Sequence, residues 1–392
     1  MKNGKYQVKL FNKIAAIGTD RFDKAMFEYG DALENPDAIL VRSADMLSAE
    51  FNPELLCIGR AGIGVNNIPI DRCSESGIVV FNTPGANANA VKELAVCALL
   101  LASRNIVGGI EWVRTLAGEG DAVPALVEKG KSKFVGPELK GKKLGVIGLG
   151  AIGATLANIA YRLGMEVYGY DPFITVENAW TMNRLVNRVS SEKEIYENCD
   201  YISIHVPLNA DTRNKINAST IATMKDGVRI INLARGELVN DADIAEALES
   251  GKVGGYVTDF PNAATLAMKN TVCIPHLGAS TPESEDNCAV MAVDEVSEYL
   301  LNGNISHSVN LPDIYLPKES KYRLCVIHRN IPNMVGMIST ALAEVGVNIE
   351  HMINKSKKDN ACTIIETENE ITESVLEKIK SVNGILRVRV IG

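Results

Sequence analysis

Lys143-Leu144-Gly145-Val146-Ile147-Gly148-Leu149-Gly150-Ala151-Ile152-Gly153 decides the fold of this chain. Four apolar or small residues run into a turn of pattern G-x-G-x-x-G, and an apolar helical stretch, AIGATLANIAYRLG, follows. A strand that ends on Gly148 and a helix that opens at Gly150 place three glycines at one backbone turn. The first permits the turn, the second lets the chain approach a pyrophosphate, and the third lets helix and strand pack closely. The free N–H groups and partial positive charge of the helix start favour phosphate there.

Reading outward, EVYGYDP (166–172) is the next strand, and its Asp171 lies 18 residues after Gly153. An acid at that place accepts hydrogen bonds from ribose hydroxyls and repels a 2′-phosphate, so NAD is expected rather than NADP. Further strands are predicted at DYISIHVPL (200–208), GVRIINLAR (227–235) and KVGGYVTDF (252–260), with helices between them. Upstream, AILVRS (38–43), LLCIGRAG (55–62) and IVVFNT (78–83) read as buried parallel strands, and 88–103 as a long helix. The alternation predicts an α/β fold with two doubly wound, Rossmann-like parallel sheets. Because the glycine turn begins at 148, a domain of other purpose precedes the dinucleotide domain. The helices near 88–103 and 282–301 are then the two crossings between them.

The last 72 residues follow a linker with two prolines, LPDIYLPKES (311–320), and read β, α, β, β, α, β. The expected boundaries are 1–97 with 285–311 for the first domain, 98–284 for the dinucleotide domain and 321–392 for the last.

The 392 residues carry a net charge of −8, with acids and bases interspersed, which argues against nucleic acid or an anionic membrane as partner. The first ten residues lack the apolar segment of a secretory leader, and the longest apolar run, 95–102, is far too short to span a bilayer. Eight cysteines without a Cys-x-x-Cys pair, such as Cys97 in ELAVCALLLA, suggest buried free thiols in a reducing cytoplasm, and no metal site is expected.

VRSAD (41–45), GRAGIGVNNI (59–68), NTPGANANAVKELAV (82–96), LKGKKLGVIGLGAIG (139–153), HVPL (205–208), NLARGELV (232–239) and PHLGAST (275–281) together resemble the D-2-hydroxyacid dehydrogenases of the phosphoglycerate dehydrogenase type. The resemblance implies cofactor contacts at Gly148, Gly150, Ala151, Ile152, Gly153, Asp171, His205, Val206, Pro207, Ala234, Asp259 and Gly278. It implies Arg235 as the cation that grips a substrate carboxylate in a bidentate way, and His276 as the base that takes the hydroxyl proton. The family's glutamate between this arginine and histidine is missing: from Phe260 to Pro275 there is no acid. The partner of His276 is then Asp259, a residue from elsewhere, or water.

By the same resemblance Arg42 and Arg60 would bind a substrate phosphate, and the backbone of Gly62, Ile63 and Gly64 would face the carboxylate. Ion pairs with local acids are the other reading of the two arginines. The implied substrate is 3-phosphoglycerate, with another D-2-hydroxy acid, or a non-catalytic NAD-binding role, as alternatives. The tail resembles an ACT domain, a ferredoxin-like module. His328, Asn330 and Asn348 match the family's effector site, with L-serine as the implied effector, although Asn333 stands where the family has glycine; an ACT domain that dimerises without an effector is the other reading. ACT modules pair edge to edge, so a homodimer or tetramer is expected.

Overall fold

The computed structural model describes residues 4–392; residues 1–3, the start of the stretch read for a leader, lie outside them. The chain folds into two compact units, Met1–Ala86 with Pro282–Gly392, and Asn87–Thr281.

The first unit opens with strands β1 (Tyr6–Leu10), β2 (Phe27–Gly30), β3 (Ala38–Val41), β4 (Cys57–Arg60) and β5 (Val79–Asn82). They form one parallel sheet in the order β2-β1-β3-β4-β5. The sequence pattern named β3, β4 and β5, because their residues are buried almost throughout and read as continuous apolar runs. β1 and β2 were not legible: YQVKL alternates with polar residues, and FEYG is four residues long. The helix Pro282–Asn302 packs on this sheet. Gly59 allows it, since a Cβ there would lie 2.8 Å from both Leu40 Cδ2 and Val296 Cγ2.

The second unit holds β6 (Lys143–Ile147), β7 (Glu166–Tyr170), β8 (Asn187–Arg188), β9 (Tyr201–Ile204), β10 (Val228–Asn232), β11 (Val253–Thr258) and β12 (Thr271–Cys273). The order is β12-β11-β10-β9-β6-β7-β8, all parallel. The strand order reverses beside β6, so the crevice at its carboxyl end is where such sheets take ligands. The helix Ala88–Ser103 matches its predicted span. Two further helices, Ile106–Arg114 and Val123–Gly130, fill the stretch before β6.

The tail forms β13 (Tyr322–Arg329), β14 (His351–Lys357), β15 (Asn360–Thr367) and β16 (Ile385–Ile391), an antiparallel sheet ordered β14-β15-β13-β16. Strand alternation gives it two buried faces. Leu324, Val326 and Ile365 pack with the helices Met334–Ala343 and Glu373–Lys380. Cys325, Ile327, Cys362, Ile364 and Ile391 join the core that also contains Val8, Phe81 and Tyr299. The tail is thus built onto the first sheet of its unit.

All eight cysteines are free. Six are buried, but Cys97 is exposed and Cys273 is intermediate. The expectation for Cys97 is corrected: the apolar run around it winds into a helix, and periodicity turns that position outward. No single helix among the described residues is long and apolar enough to cross a membrane.

Candidate active site

In the second unit the glycine turn is built as its spacing requires. Gly148 has φ 92°, and a Cβ on it would meet the His205 carbonyl oxygen at 2.6 Å. A Cβ on Gly153 would lie 1.9 Å from the Gly148 oxygen. At Gly150 a Cβ would meet nothing within 4 Å, so the glycine there keeps an open approach to the backbone. Gly150 is the N-cap of the helix Ala151–Arg162, and no side chain caps it. The N–H groups of Ala151 and Ile152 therefore open a helix whose donors no protein side chain takes.

Asp171 follows the end of β7. Its Oδ2 accepts from Leu149 N at 2.8 Å and its Oδ1 from Phe173 N at 2.8 Å, so backbone on both sides aims the carboxylate. Each oxygen keeps a lone pair for a ribose hydroxyl. His205 Nε2 lies 2.8 Å from Ser203 Oγ, and burial pushes its imidazole down to about 4, so it stays neutral. Val206 Cγ1 would be 3.1 Å from a Cβ on Gly148. The wall His205-Val206-Pro207 and the glycine turn are therefore neighbours.

The second cluster forms at the carboxyl ends of β10 and β11. Asn232 is fully buried and holds the turn after β10: its Nδ2 donates to Arg235 O at 2.8 Å, and its Oδ1 accepts from Ala234 N at 3.2 Å. Arg235 is half-buried, and its Nη1 donates to Ala234 O at 2.6 Å. Asp259 is 1% exposed, and Oδ1 finds no hydrogen-bond partner. Burial raises its carboxyl above the usual range, while nearby His276, the Gly278 N–H and Arg235 pull the other way. His276 N donates to Asp259 O at 3.0 Å. Asp259, Phe260, His276 and Gly236 share the wall of a cavity of about 490 Å³ with Arg213, Glu237 and Asp241.

An orphaned, buried carboxylate oxygen beside a histidine calls for a donor. The carboxamide of a nicotinamide supplies one, so the residues present fit that group. Phe260 was missed in the sequence. Its ring lies 4.7 Å from the His276 ring, and Arg235 Cζ is 6.0 Å from the Phe260 centroid. Nothing in its neighbourhood of the sequence marks it.

In the first unit, Arg60 ends β4 opposite Val41, and Arg42 follows β3 directly. The Arg60 guanidinium lies over Gly62, where a Cβ would meet Nη1. Gly62 O accepts from Thr83 N at 3.1 Å and Ile63 O from Asn82 Nδ2 at 2.8 Å, which ties the 62–64 loop to the end of β5. Arg42 Nη2 pairs with Glu285 Oε1 at 2.6 Å, a partner the sequence did not reveal because 243 residues separate them.

In the tail, His328 is 2% exposed, with Nε2 at 2.9 Å from Thr363 Oγ1 and Nδ1 at 2.8 Å from Arg329 O. Asn330 Nδ2 donates to Lys358 O, and Asn348 Nδ2 to Glu350 Oε1; both asparagines are exposed. Asn333 has φ 69°, the left-handed conformation that explains a glycine preference and that asparagine tolerates.

Residues 96–278 match the family model described as D-isomer specific 2-hydroxyacid dehydrogenase, NAD binding domain. The D-3-phosphoglycerate dehydrogenase of Haemophilus influenzae is 32% identical over 95% of this chain and 91% of its own length. That of Bacillus subtilis is 34% identical over 80% of this chain, which spans only 58% of that longer protein. The NAD+-bound 3-phosphoglycerate dehydrogenase of Entamoeba histolytica superposes with a TM-score of 0.61, at 26% identity, over 78% of this chain and 99% of that one.

Proposed function

The chain belongs to the D-isomer-specific 2-hydroxyacid dehydrogenase family, and within it we propose the NAD-dependent oxidation of 3-phospho-D-glycerate to 3-phosphohydroxypyruvate, the first step of L-serine synthesis. The observation that carries this reading is the grouping of Arg235, Asp259 and His276 at adjacent strand ends, in a chain matched over nearly its whole length by phosphoglycerate dehydrogenases.

NAD bound at the glycine turn would supply the oxidising nicotinamide ring. The chain's own residues hold and orient it. The helix start at Ala151 takes the pyrophosphate, Asp171 the ribose, and Asp259 Oδ1 the carboxamide. Arg235 grips the substrate carboxylate through its planar fork, and His276 accepts the proton leaving the C2 hydroxyl. Arg42 and Arg60 take the phosphate, and the 62–64 backbone faces the carboxylate.

The domain roles we assign are substrate binding for 1–97 with 285–311, NAD binding for 98–284 and regulation for 321–392, an ACT domain. His328, Asn330 and Asn348 are the residues assigned to an L-serine effector. The exposed edge strand β14 supports edge-to-edge pairing into a dimer or tetramer. Free thiols and the absence of an apolar spanning helix among the described residues favour the cytoplasm.

The test is NADH formation at 340 nm from NAD and 3-phosphoglycerate, with and without L-serine, in wild type and in H276N. Turnover that H276N lowers by about 10²–10⁴-fold supports the assignment. Faster turnover of an unphosphorylated D-2-hydroxy acid would move the substrate, and an H276N enzyme as fast as wild type would remove the base.

A further inference from the structure

We propose that Phe260 is the positioning residue of this site, holding His276 and Arg235 in place where the stretch between Asp259 and His276 supplies no carboxylate to do so. The inference rests on the catalytic reading of those two side chains.

From Phe260 to Pro275 the sequence contains no acid. Asp259, the nearest, attracts His276 electrostatically, but its Oδ1 is buried without a partner and is the oxygen assigned above to the cofactor carboxamide. An imidazole that must receive a proton along one direction still needs a fixed plane. The Phe260 ring provides a wall for it, with centroids 4.7 Å apart and planes inclined at 46°. That separation falls within the contact range of aromatic pairs. The same ring stands 6.0 Å from Arg235 Cζ, at the limit of cation–π contact. One side chain thus touches the proton acceptor and faces the carboxylate-binding cation.

The backbone that carries the ring is itself anchored on both sides. Phe260 N donates to Thr258 Oγ1 at 3.1 Å. Pro261 follows, and Asn262 caps the helix Ala263–Ala267 in a capping box with Thr265 while donating to Asp241 Oδ2 at 2.8 Å. Opposite, a Cβ on Gly236 would lie 3.3 Å from Phe260 Cβ, a tight contact that the glycine after Arg235 avoids. An aromatic wall orients the imidazole without hydrogen-bonding it, which leaves water to receive the proton from its far nitrogen.

The full-length variants F260L and F260Y test this, with H276N as reference. In F260L the value of kcat should fall about 10–100-fold. KM for 3-phosphoglycerate should rise about threefold to tenfold while KM for NAD stays within about twofold. The primary isotope effect on kcat with C2-deuterated substrate should increase, because hydride transfer becomes the slow step. F260Y should recover to within about threefold of wild type, since it keeps the ring. Wild-type kcat and isotope effect in F260L would overturn the proposal. So would a loss that only tracks the folded fraction in a thermal melt, or an F260Y as impaired as F260L. An inactive H276N beside an unimpaired F260L defeats Phe260 alone; an H276N as active as wild type defeats the catalytic reading beneath it.

Discussion

Arg323 and Glu366 form an ion pair of 2.5 Å with both side chains fully buried. The guanidinium also donates to Asn302 O and Leu316 O, and Glu366 accepts from Glu319 N. The pair therefore ties β13 and β15 to the end of the helix Pro282–Asn302 and to the linker. Charges so deep are tolerated because nearly every donor and acceptor is met.

Removing one partner leaves the other buried and unpaired. R323M or E366L alone is expected to cost about 3–5 kcal/mol in chemical denaturation, and the double variant R323M/E366L to recover most of the loss. Single variants as stable as wild type would show that water reaches the pair.

The glycines at 150 and 153 separate binding from folding. G153A places a Cβ 1.9 Å from the Gly148 oxygen and should lower stability by about 1–3 kcal/mol. G150A meets no protein atom, so its melting temperature should stay near wild type while KM for NAD rises about tenfold or more. Equal effects of the two on stability would contradict the geometry.

Glu285 competes for Arg42. The pair is partly exposed, at 39% and 43%, and so is weak, but it opposes an incoming anion at the assigned phosphate site. E285Q should lower KM for 3-phosphoglycerate by about twofold to fivefold, with little change in kcat. An unchanged KM would place the phosphate away from Arg42.

Glu295 gives stability a pH dependence. Its side chain is 6% exposed and lies 2.8 Å from His307 Nδ1. Burial, then the charges of Asp313 and Asp294, push its carboxyl up to about 9; Arg21 in turn pairs with Asp294. Below the unfolded value of 4.5 both states hold the proton, and the contribution is complete. Between 4.5 and about 9 only the unfolded chain ionises, so stability falls as pH rises, by at most about 1.4 kcal/mol per pH unit. E295Q cannot ionise and should flatten that part of the stability profile between pH 6 and 8.5; parallel wild-type and E295Q profiles would refute the assignment.

Much of the frame was legible because period and punctuation are local. Gly148, Gly150, Gly153 and Asp171 lie within one strand–turn–helix–strand unit, and the spacing alone carries their geometry. The helix Ala88–Ser103 and the βαββαβ order of the tail are equally local patterns. The inner strand β1 and the edge strand β2 escaped, since short or alternating segments gain their strand character from the neighbours they pair with.

By itself the sequence determined the doubly wound architecture and the dinucleotide turn, because each is written in residues close along the chain, while Arg235 and His276 were singled out only through the family resemblance. Only the tertiary structure decided what surrounds them. Phe260 against His276, Glu285 on Arg42 and Arg323 on Glu366 join residues 16, 243 and 43 positions apart. No periodicity encodes such contacts; they follow from which strand ends and helix faces the packed core brings within a few ångströms of one another.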